Sequence, residues 1–321
     1  MMSGFSRACA ARSLAGTAAL AAALATAACG SGSAQTTAAE TGKPEVVAAF
    51  YPLQWLSEQV GGSDANVTVL TAPGVEPHDL ELGIKQVTDI KNAALTVYIK
   101  GIQPAVDDAV EPDTSFDAAT AVTTLPAGED EHEHEHEHEG ESEEEHAEHA
   151  DVSYDPHIWL DPSRLATVAT KLGERMAAAD PAHAQGYRDR AAKTAATLTG
   201  LDQELSQGLT TCRSKTLVTA HEAFGYLADR YKLKQVGITL DPEMEPSPAR
   251  LSEVAKLAKS EGVTTVFTES LVSPKVAEVL ASQVGAKTAV LDPLESKPSG
   301  DYVSAMRDNL KTLQTALGCT A

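Results

Sequence analysis

Three histidines and one aspartate are the residues of this sequence whose types and settings could bind a metal ion. His78 ends the proline-rich segment PGVEPH, His157 lies within DPHIW, and His221 directly follows the apolar run LVTA. Asp292 directly follows a second apolar run, TAVL. Three imidazoles with at most one carboxylate suit Zn²⁺ in a tetrahedral arrangement. The sequence therefore predicts a zinc site made of these four residues.

The fourth ligand stays open at this point. A proline immediately precedes both His78 and His157 and restricts the backbone there. A histidine at the end of a strand, taken alone, is more typical of a hydrogen-bonding loop residue. The three gain weight because they share the cleft predicted between two lobes and because a histidine-rich run lies nearby in the sequence. Glu76, Glu269 and a water molecule are alternatives to Asp292.

The segment 129–151 alternates imidazoles with carboxylates and contains 13 acidic residues but no Lys or Arg. Nothing in it offsets the entropy of ordering, so it is predicted to lie as a loop outside any core. Histidine-rich tracts are a compositional signal for metal binding, although a solvated acidic spacer is the alternative. We expect it to collect Zn²⁺ weakly through His132, His134, His136, His138, His146 and His149.

Composition bounds the class of protein. The chain has 321 residues, 42% of them hydrophobic, which suggests a globular protein of about two domains on a prior of roughly 150 residues each. Its net charge is −21, and segment 129–151 accounts for 13 of those charges, which leaves −8 for the rest. Without a basic patch, nucleic-acid binding is not expected.

The amino terminus has the features of an export signal. Residues 1–28 combine arginines with an alanine-rich apolar stretch too short to span a membrane. The sequence LATAACG that follows resembles a bacterial lipoprotein cleavage box with Cys29 as the lipidated residue, and a plain secretory signal is the alternative. Residues 29–43 are then a flexible tether.

Two cysteines remain for the mature chain, Cys212 and Cys319, since Cys9 lies in the signal and Cys29 would carry lipid. Oxidation is expected in an exported protein. We therefore predict a disulfide between Cys212 and Cys319, with two buried free thiols as the alternative.

The rest of the chain predicts an α/β fold of two lobes, each with a mainly parallel sheet flanked by helices. Short β-rich runs alternate with amphipathic stretches in residues 44–162 and again in 212–321, where one helix is predicted from His221 to Tyr231. Residues 163–211 form a helical linker whose longest helix, from His183 to Leu209, joins the lobes rigidly. Ligands of such folds bind at the carboxyl ends of the strands.

Four motifs occur in the order EPH (76–78), DPHIWLDP (155–162), TAHEAFGYL (219–227) and LDPL (291–294). Together they resemble the zinc-binding solute receptors of bacterial ABC importers, cluster A-I, over residues 44–321. The resemblance implies His78, His157 and His221 as zinc ligands with Asp292 or water nearby, and a permease with its ATPase as partners. Manganese-type relatives carry a glutamate at the position matching His221, so this histidine favours zinc.

The predicted function is that of an extracytoplasmic receptor, a monomer anchored to the cell membrane by lipid, that captures Zn²⁺ and catalyses no reaction. A manganese or iron receptor of the same family is one alternative. An exported zinc hydrolase with Glu222 as its base is another, although the sequence lacks an HExxH motif. The sequence says nothing about a surface adhesin that uses the same lobes.

Two physical expectations accompany this function. Binding needs neutral imidazoles, so zinc affinity should weaken as the pH falls through about 6.5. The long connecting helix predicts small movements of the lobes on binding rather than wide closure.

Overall fold

The computed structural model describes residues 42–128 and 152–320. The predicted signal peptide, Cys29 and most of the tether lie outside the described residues. So does segment 129–151 with its six candidate ligands, His132, His134, His136, His138, His146 and His149. The described residues all belong to one compact unit.

The first lobe contains a four-stranded, fully parallel sheet in the order β2-β1-β3-β4. Its strands are β1 (Glu45–Ala48), β2 (Asn66–Val69), β3 (Leu95–Tyr98) and β4 (Ser115–Asp117). Its helices are α1 (Tyr51–Gly61), α2 (Ile84–Asn92) and α3 (Pro104–Ala109). After β4 the chain turns into a short 3-10 helix.

The second lobe repeats this strand order with a parallel sheet arranged β6-β5-β7-β8. Its strands are β5 (Thr216–His221), β6 (Lys234–Thr239), β7 (Thr265–Thr268) and β8 (Lys287–Val290). The predicted α/β fold with two mainly parallel sheets is confirmed.

Two long helices connect the sheets, α4 (Pro162–Ala179) and α5 (Ala184–Leu209), and they pack against each other. Asp161 caps α4, because its side chain accepts hydrogen bonds from the backbone N–H groups of Ser163 and Arg164. Helix α5 has 26 residues and is therefore about 39 Å long at 1.5 Å per residue. It supplies the long connection that the sequence predicts.

The second lobe is completed by helices α6 (Gly225–Tyr231), α7 (Pro248–Ser260), α8 (Lys275–Val284) and α9 (Tyr302–Leu317). The sequence-based start of α6 at His221 is four residues too early. His221 still pairs in register with Thr239 of β6, so the strand continues through it and the helix begins only at Gly225.

One buried core runs through both lobes and both long helices. In it the ring of Trp159 contacts that of Phe50 with centroids 4.9 Å apart. The hydroxyl of Tyr302, from the second lobe, donates a hydrogen bond to the carbonyl oxygen of Trp159. A second, smaller core lies between the second sheet and helices α7 and α8. The two lobes are thus joined by packing as well as by α5.

A disulfide joins Cys212, just before β5, to Cys319, just after α9. It ties the end of the chain to the start of the second lobe, 107 residues earlier. Within residues 42–128 and 152–320, none of the helices combines the length and the apolar character needed to span a bilayer.

Candidate metal centre

Four side chains converge between the lobes: His78, His157, His221 and Glu295. One ligand atom from each lies within 4.8 Å of the ligand atoms of the other three. The centroids of the imidazole rings are 5.4, 5.6 and 6.0 Å apart. The structure therefore brings together the three histidines singled out from the sequence and adds a glutamate to them.

Each lobe supplies two members of this group. His78 lies in the loop between β2 and α2, and His157 immediately precedes a short 3-10 helix (Ile158–Leu160) that leads into α4. His221 is the last residue of β5, and Glu295 lies in the loop between β8 and α9. Three of the four members, all but His157, thus lie at or beyond the carboxyl ends of strands, where open parallel sheets usually bind ligands.

The Oε1 atom of Glu295 is the point at which the imidazoles meet. It lies 3.4 Å from Nε2 of His78, 3.7 Å from Nε2 of His157 and 3.7 Å from Nε2 of His221. Ligands bound tetrahedrally at about 2.0–2.1 Å from zinc are about 3.3–3.4 Å apart. The three distances from Oε1 lie close to this value, and the four ligand atoms, which lie within 4.8 Å of one another, must approach more closely to bind one ion.

Carboxylates hold two of the rings from behind. Oδ1 of Asp155 lies 2.8 Å from Nδ1 of His157, and Oε2 of Glu269 lies 2.6 Å from Nδ1 of His221. A carboxylate at Nδ1 keeps the proton there, which leaves the lone pair of Nε2 free for a metal ion. Glu269 directly follows β7, and β7 lies beside β5 in the sheet. Glu269 and His221 therefore lie at the topological switch point, where successive connections leave towards opposite edges of the sheet.

The free nitrogens are buried and unpartnered. His157 and His221 are 5% and 0% exposed, and the Nε2 atom of each lies without a hydrogen-bond partner among the described residues. Oε2 of Glu295, a residue only 1% exposed, is likewise unpartnered there. Buried polar atoms without partners are costly unless a ligand satisfies them. Three such atoms around one point fit a bound cation.

The metal-free centre holds protons tightly. Burial lowers the pKa of His221, but the hydrogen bond and charge of Glu269, followed by the charges of Glu295 and Glu76, outweigh it and raise this pKa to about 9. Burial likewise opposes protonation of His78, yet its contact with Glu295 raises the pKa of that imidazole above its usual value. A cation entering the centre must displace these protons.

The carboxylates respond in opposite directions. Burial alone would raise the pKa of Glu295, but the neighbouring imidazoles, His78 first, reverse this and lower it. Burial and then the charge of Glu295 raise the pKa of Glu76 to about 8. Of these two carboxylates, Glu295 is therefore the one that stays ionised in the metal-free centre.

The other sequence candidates lie outside the converging group. Oδ1 of Asp292 accepts a hydrogen bond from the backbone N–H of Leu294. Glu269 binds His221 from behind, and Glu76 accepts a weak hydrogen bond from the backbone N–H of His78 at 3.4 Å. None of these three carboxylates belongs to the cluster of ligand atoms.

Glu222, the candidate base of a hydrolase, also faces elsewhere. Its Oε1 atom accepts a hydrogen bond from the backbone N–H of Gly237 and lies 3.5 Å from the guanidinium of Arg250. Glu222 is therefore not positioned to act as a base at the metal centre.

Glu295 is the member of the group that sequence reasoning missed. It lies three residues after Asp292 in the same short loop, whereas the candidates for the fourth ligand from the sequence were Asp292, Glu76, Glu269 and water but not this residue. The sequence feature that could have indicated Glu295 is its position after the last strand of the second lobe. Asp292 shares this feature. Only the geometry of the turn distinguishes them.

Comparison with known proteins shows that this chain is similar to proteins of metal uptake. The profile of the family described as zinc-uptake complex component A, periplasmic, matches residues 46–316. The zinc-binding protein AdcA of Streptococcus pyogenes is 36% identical over 287 residues, which cover 85% of this chain and 56% of the relative. This chain thus spans about half the length of that relative.

Two further proteins match nearly end to end. The high-affinity zinc uptake system protein ZnuA of Bacillus subtilis is 35% identical over 305 residues, covering 91% of this chain and 93% of the relative. The laminin-binding protein Lmb of Streptococcus agalactiae, described as a bifunctional protein with adhesin and metal transporting activity, superposes with a TM-score of 0.73. It is 32% identical, and the match covers 85% of this chain and 99% of that chain.

Proposed function

Since this chain belongs to the zinc-uptake complex component A family, we propose that it is an extracytoplasmic solute receptor. It captures Zn²⁺ between its two lobes and delivers it to the permease of an ABC importer, which is driven by its ATPase. The relatives are named for zinc binding and zinc uptake, and in this proposal the chain likewise carries zinc and catalyses no reaction.

The convergence of three imidazole Nε2 atoms on Oε1 of Glu295 carries this proposal. Three neutral nitrogens and one carboxylate oxygen form a closed tetrahedral set for Zn²⁺, with His78, His157, His221 and Glu295 as the ligands. The single negative charge partly neutralises the ion inside a buried site. Closed sets of this kind bind zinc, whereas catalytic sites keep one position open for water.

Capture proceeds by exchange of protons for the ion. Zn²⁺ displaces the protons held by His221 and His78, while Asp155 and Glu269 keep their hydrogen bonds to the rings. The carboxylates stabilise the positive charge that the rings share with the ion. The ion is cargo, so the affinity must be high enough for capture and still allow transfer to the permease.

The parts of the chain outside the described residues complete the proposal. The mature protein is a monomer held at the outer surface of the cell membrane by lipid on Cys29, with residues 29–43 as its tether. Segment 129–151 concentrates Zn²⁺ near the tight site, to which it contributes no ligand. The first lobe is then 44–162, the helical linker 163–211 and the second lobe 212–321.

The test is metal analysis of the purified protein and of alanine variants at the three histidines. His78→Ala, His157→Ala and His221→Ala should each lower zinc affinity by several orders of magnitude in a competition titration against a chelator. His183→Ala is the matched control. His183 is exposed, its Nδ1 contacts Asp180, and the whole of helix α4 separates it in sequence from His157. Unchanged affinity in the first three variants would refute the proposal.

The role of segment 129–151 needs its own experiment. Calorimetric titration should find fewer bound zinc ions after deletion of these residues and an unchanged tight site. If the number of bound ions is the same with and without the segment, it is a spacer and does not collect zinc.

A further inference from the structure

The loop that carries Glu295 is held in a defined turn. The backbone N–H and carbonyl of Asp292 both bind the side-chain amide of Asn309 on α9, at 3.0 and 2.7 Å. Oδ1 of Asp292 accepts a hydrogen bond of 2.8 Å from the backbone N–H of Leu294, two residues on. Such a side-chain-to-backbone bond closes a turn around Pro293. The carboxylate of Asp292 is thus used within the turn.

The residue before Glu295 adopts an unfavourable backbone conformation. Leu294 has φ of 61°, and its side chain is 0% exposed. The other non-glycine residue with positive φ in the described part of the chain, Lys232, caps the end of α6. A left-handed conformation is costly for a residue with a Cβ atom and persists only where surrounding contacts enforce it. This conformation fixes the direction in which the chain leaves the turn towards Glu295.

A residue of the first lobe forms a hydrogen bond to the same turn across the cleft. The indole N–H of Trp159 donates a hydrogen bond of 2.7 Å to the carbonyl oxygen of Pro293. Trp159 is fully buried, and its ring lies 5.1 Å from that of His157, two residues earlier. One side chain therefore contacts a ligand of the first lobe and holds the loop that bears the ligand of the second.

A second bond crosses the cleft on the far side of Glu295. The backbone N–H of Gly74 donates to the hydroxyl of Ser296 at 2.7 Å. Gly74 belongs to the loop that carries His78 and has φ of 82°, which glycine adopts readily. Two hydrogen bonds to the first lobe therefore flank Glu295 in sequence. The bond from Trp159 comes from the segment that carries His157, and the bond from Gly74 comes from the loop that carries His78.

We propose that Asp292 and Trp159 are positioning residues that fix the Glu295 carboxylate against the imidazoles and thereby set the preference for zinc over manganese. The inference rests on the proposed function. Zn²⁺ accepts four ligands in a tetrahedron, whereas Mn²⁺ favours more oxygen ligands in an octahedral arrangement. A carboxylate held in one orientation keeps the tetrahedral set, while a mobile one could bind through both oxygens and admit water.

Two matched pairs of variants test the proposal. Asp292→Ala removes the bond to Leu294, whereas Asp292→Asn keeps an oxygen that can accept it. Trp159→Phe removes the indole N–H but keeps an aromatic ring. Trp55→Phe is its control, because Trp55 is buried in the same core and its ring stacks on Tyr302 at 4.9 Å.

The measurements are zinc affinity by chelator competition, the ratio of zinc to manganese affinity, and the visible absorption spectrum of the Co²⁺-substituted protein. Asp292→Ala and Trp159→Phe should lose about 10- to 100-fold in zinc affinity, as for other residues that orient ligands. Both should also show a smaller zinc-to-manganese ratio and weaker cobalt absorption of the tetrahedral type. Asp292→Asn and Trp55→Phe should stay within a few-fold of the unaltered protein.

The alternatives give different results. If Asp292→Asn loses as much affinity as Asp292→Ala, then Asp292 acts as a charge or a ligand and its proposed role is wrong. If Trp159→Phe matches Trp55→Phe in affinity, ratio and spectrum, then Trp159 only packs in the core. Failure of the unaltered protein to bind zinc would instead refute the proposed function. Thermal unfolding of each variant separates loss of folding from loss of positioning. If Trp159→Phe does not fold, the comparison of Asp292→Ala with Asp292→Asn tests whether the turn positions Glu295.

Discussion

Both oxygens of Glu269 bind His221. Oε2 lies 2.6 Å from Nδ1 of the imidazole, and Oε1 accepts a hydrogen bond of 3.1 Å from the backbone N–H of the same residue. The two residues stand at the ends of neighbouring strands, so the bond fixes a ring at the edge of the second sheet. A buried carboxylate in this place orients the ring and also attracts a proton to it.

This bond makes zinc binding depend on pH well above the usual range of histidine. Because the pKa of His221 is raised to about 9, the ring is mostly protonated in the metal-free protein below that pH. Zinc must displace this proton, so affinity should rise with pH up to about 9, by about tenfold per unit for each proton displaced. The dependence should therefore extend far above the pH of about 6.5 expected for an ordinary histidine.

Calorimetry in two buffers of different ionisation enthalpy measures the protons released. We expect release of at least one proton per zinc ion at pH 7.5. Glu269→Gln removes the charge that holds the proton, so its release at this pH should decrease. Equal heats in both buffers for the unaltered protein would contradict the raised pKa.

Metal selectivity should follow from the donor atoms. Three imidazole nitrogens and one carboxylate oxygen suit Zn²⁺ better than Mn²⁺, which prefers oxygen ligands. Competition titration of the zinc-loaded protein with a large excess of Mn²⁺ should leave the zinc in place. Displacement at comparable concentrations would favour the alternative of a manganese receptor.

The disulfide should affect stability and leave zinc affinity unchanged. Cys212 precedes the amino end of β5, whereas His221 lies at its carboxyl end, and the six residues of this strand span about 20 Å at 3.3 Å each. A disulfide typically contributes about 2–4 kcal/mol to the free energy of unfolding. The double variant Cys212→Ser/Cys319→Ser should lose stability of that order in denaturant titration.

The unaltered protein in the presence of a reductant is the control for this variant and should show the same loss. A parallel fall in zinc affinity would mean that the disulfide supports the metal centre as well.

Zinc should change the overall dimensions of the protein very little. One buried core passes between the lobes, with Trp159 bonded to Tyr302 across them, so wide opening would expose aromatic surface to water. The radius of gyration expected for about 256 compact residues, the described part of the chain, is about 18 Å, and we expect zinc to change it by less than about 1 Å. X-ray scattering from a variant lacking residues 129–151, with and without zinc, measures this; a larger decrease would indicate hinge closure.

The three histidines could be found from the sequence because the physics that places them is general. His221 ends an apolar run, and His78 and His157 follow prolines in loops beyond strands or before a helix. In parallel α/β folds such positions meet at the carboxyl edge of the sheets. The alternation of apolar runs and amphipathic stretches was likewise enough to predict both sheets and the long helix α5.

Glu295 could not be chosen over Asp292 on the same grounds. Both acids follow β8 within a few residues, and their directions depend on contacts made by distant parts of the chain. Asn309 holds the turn from α9, and Trp159 holds it from the other lobe. A sequence pattern records neither contact. The start of α6 was wrong for a similar reason, since pairing between His221 and Thr239 extends β5 beyond its apolar residues.

The equal division of ligands between the lobes has a consequence for a damaged protein. His78 and His157 belong to one sheet and its flanking segments, and His221 and Glu295 to the other. A proteolytic fragment that retains a single lobe keeps two donor atoms and so cannot compete for scarce zinc. Under the proposed function, only an intact molecule would carry zinc to an importer, and metal retention would then report that both halves have folded correctly.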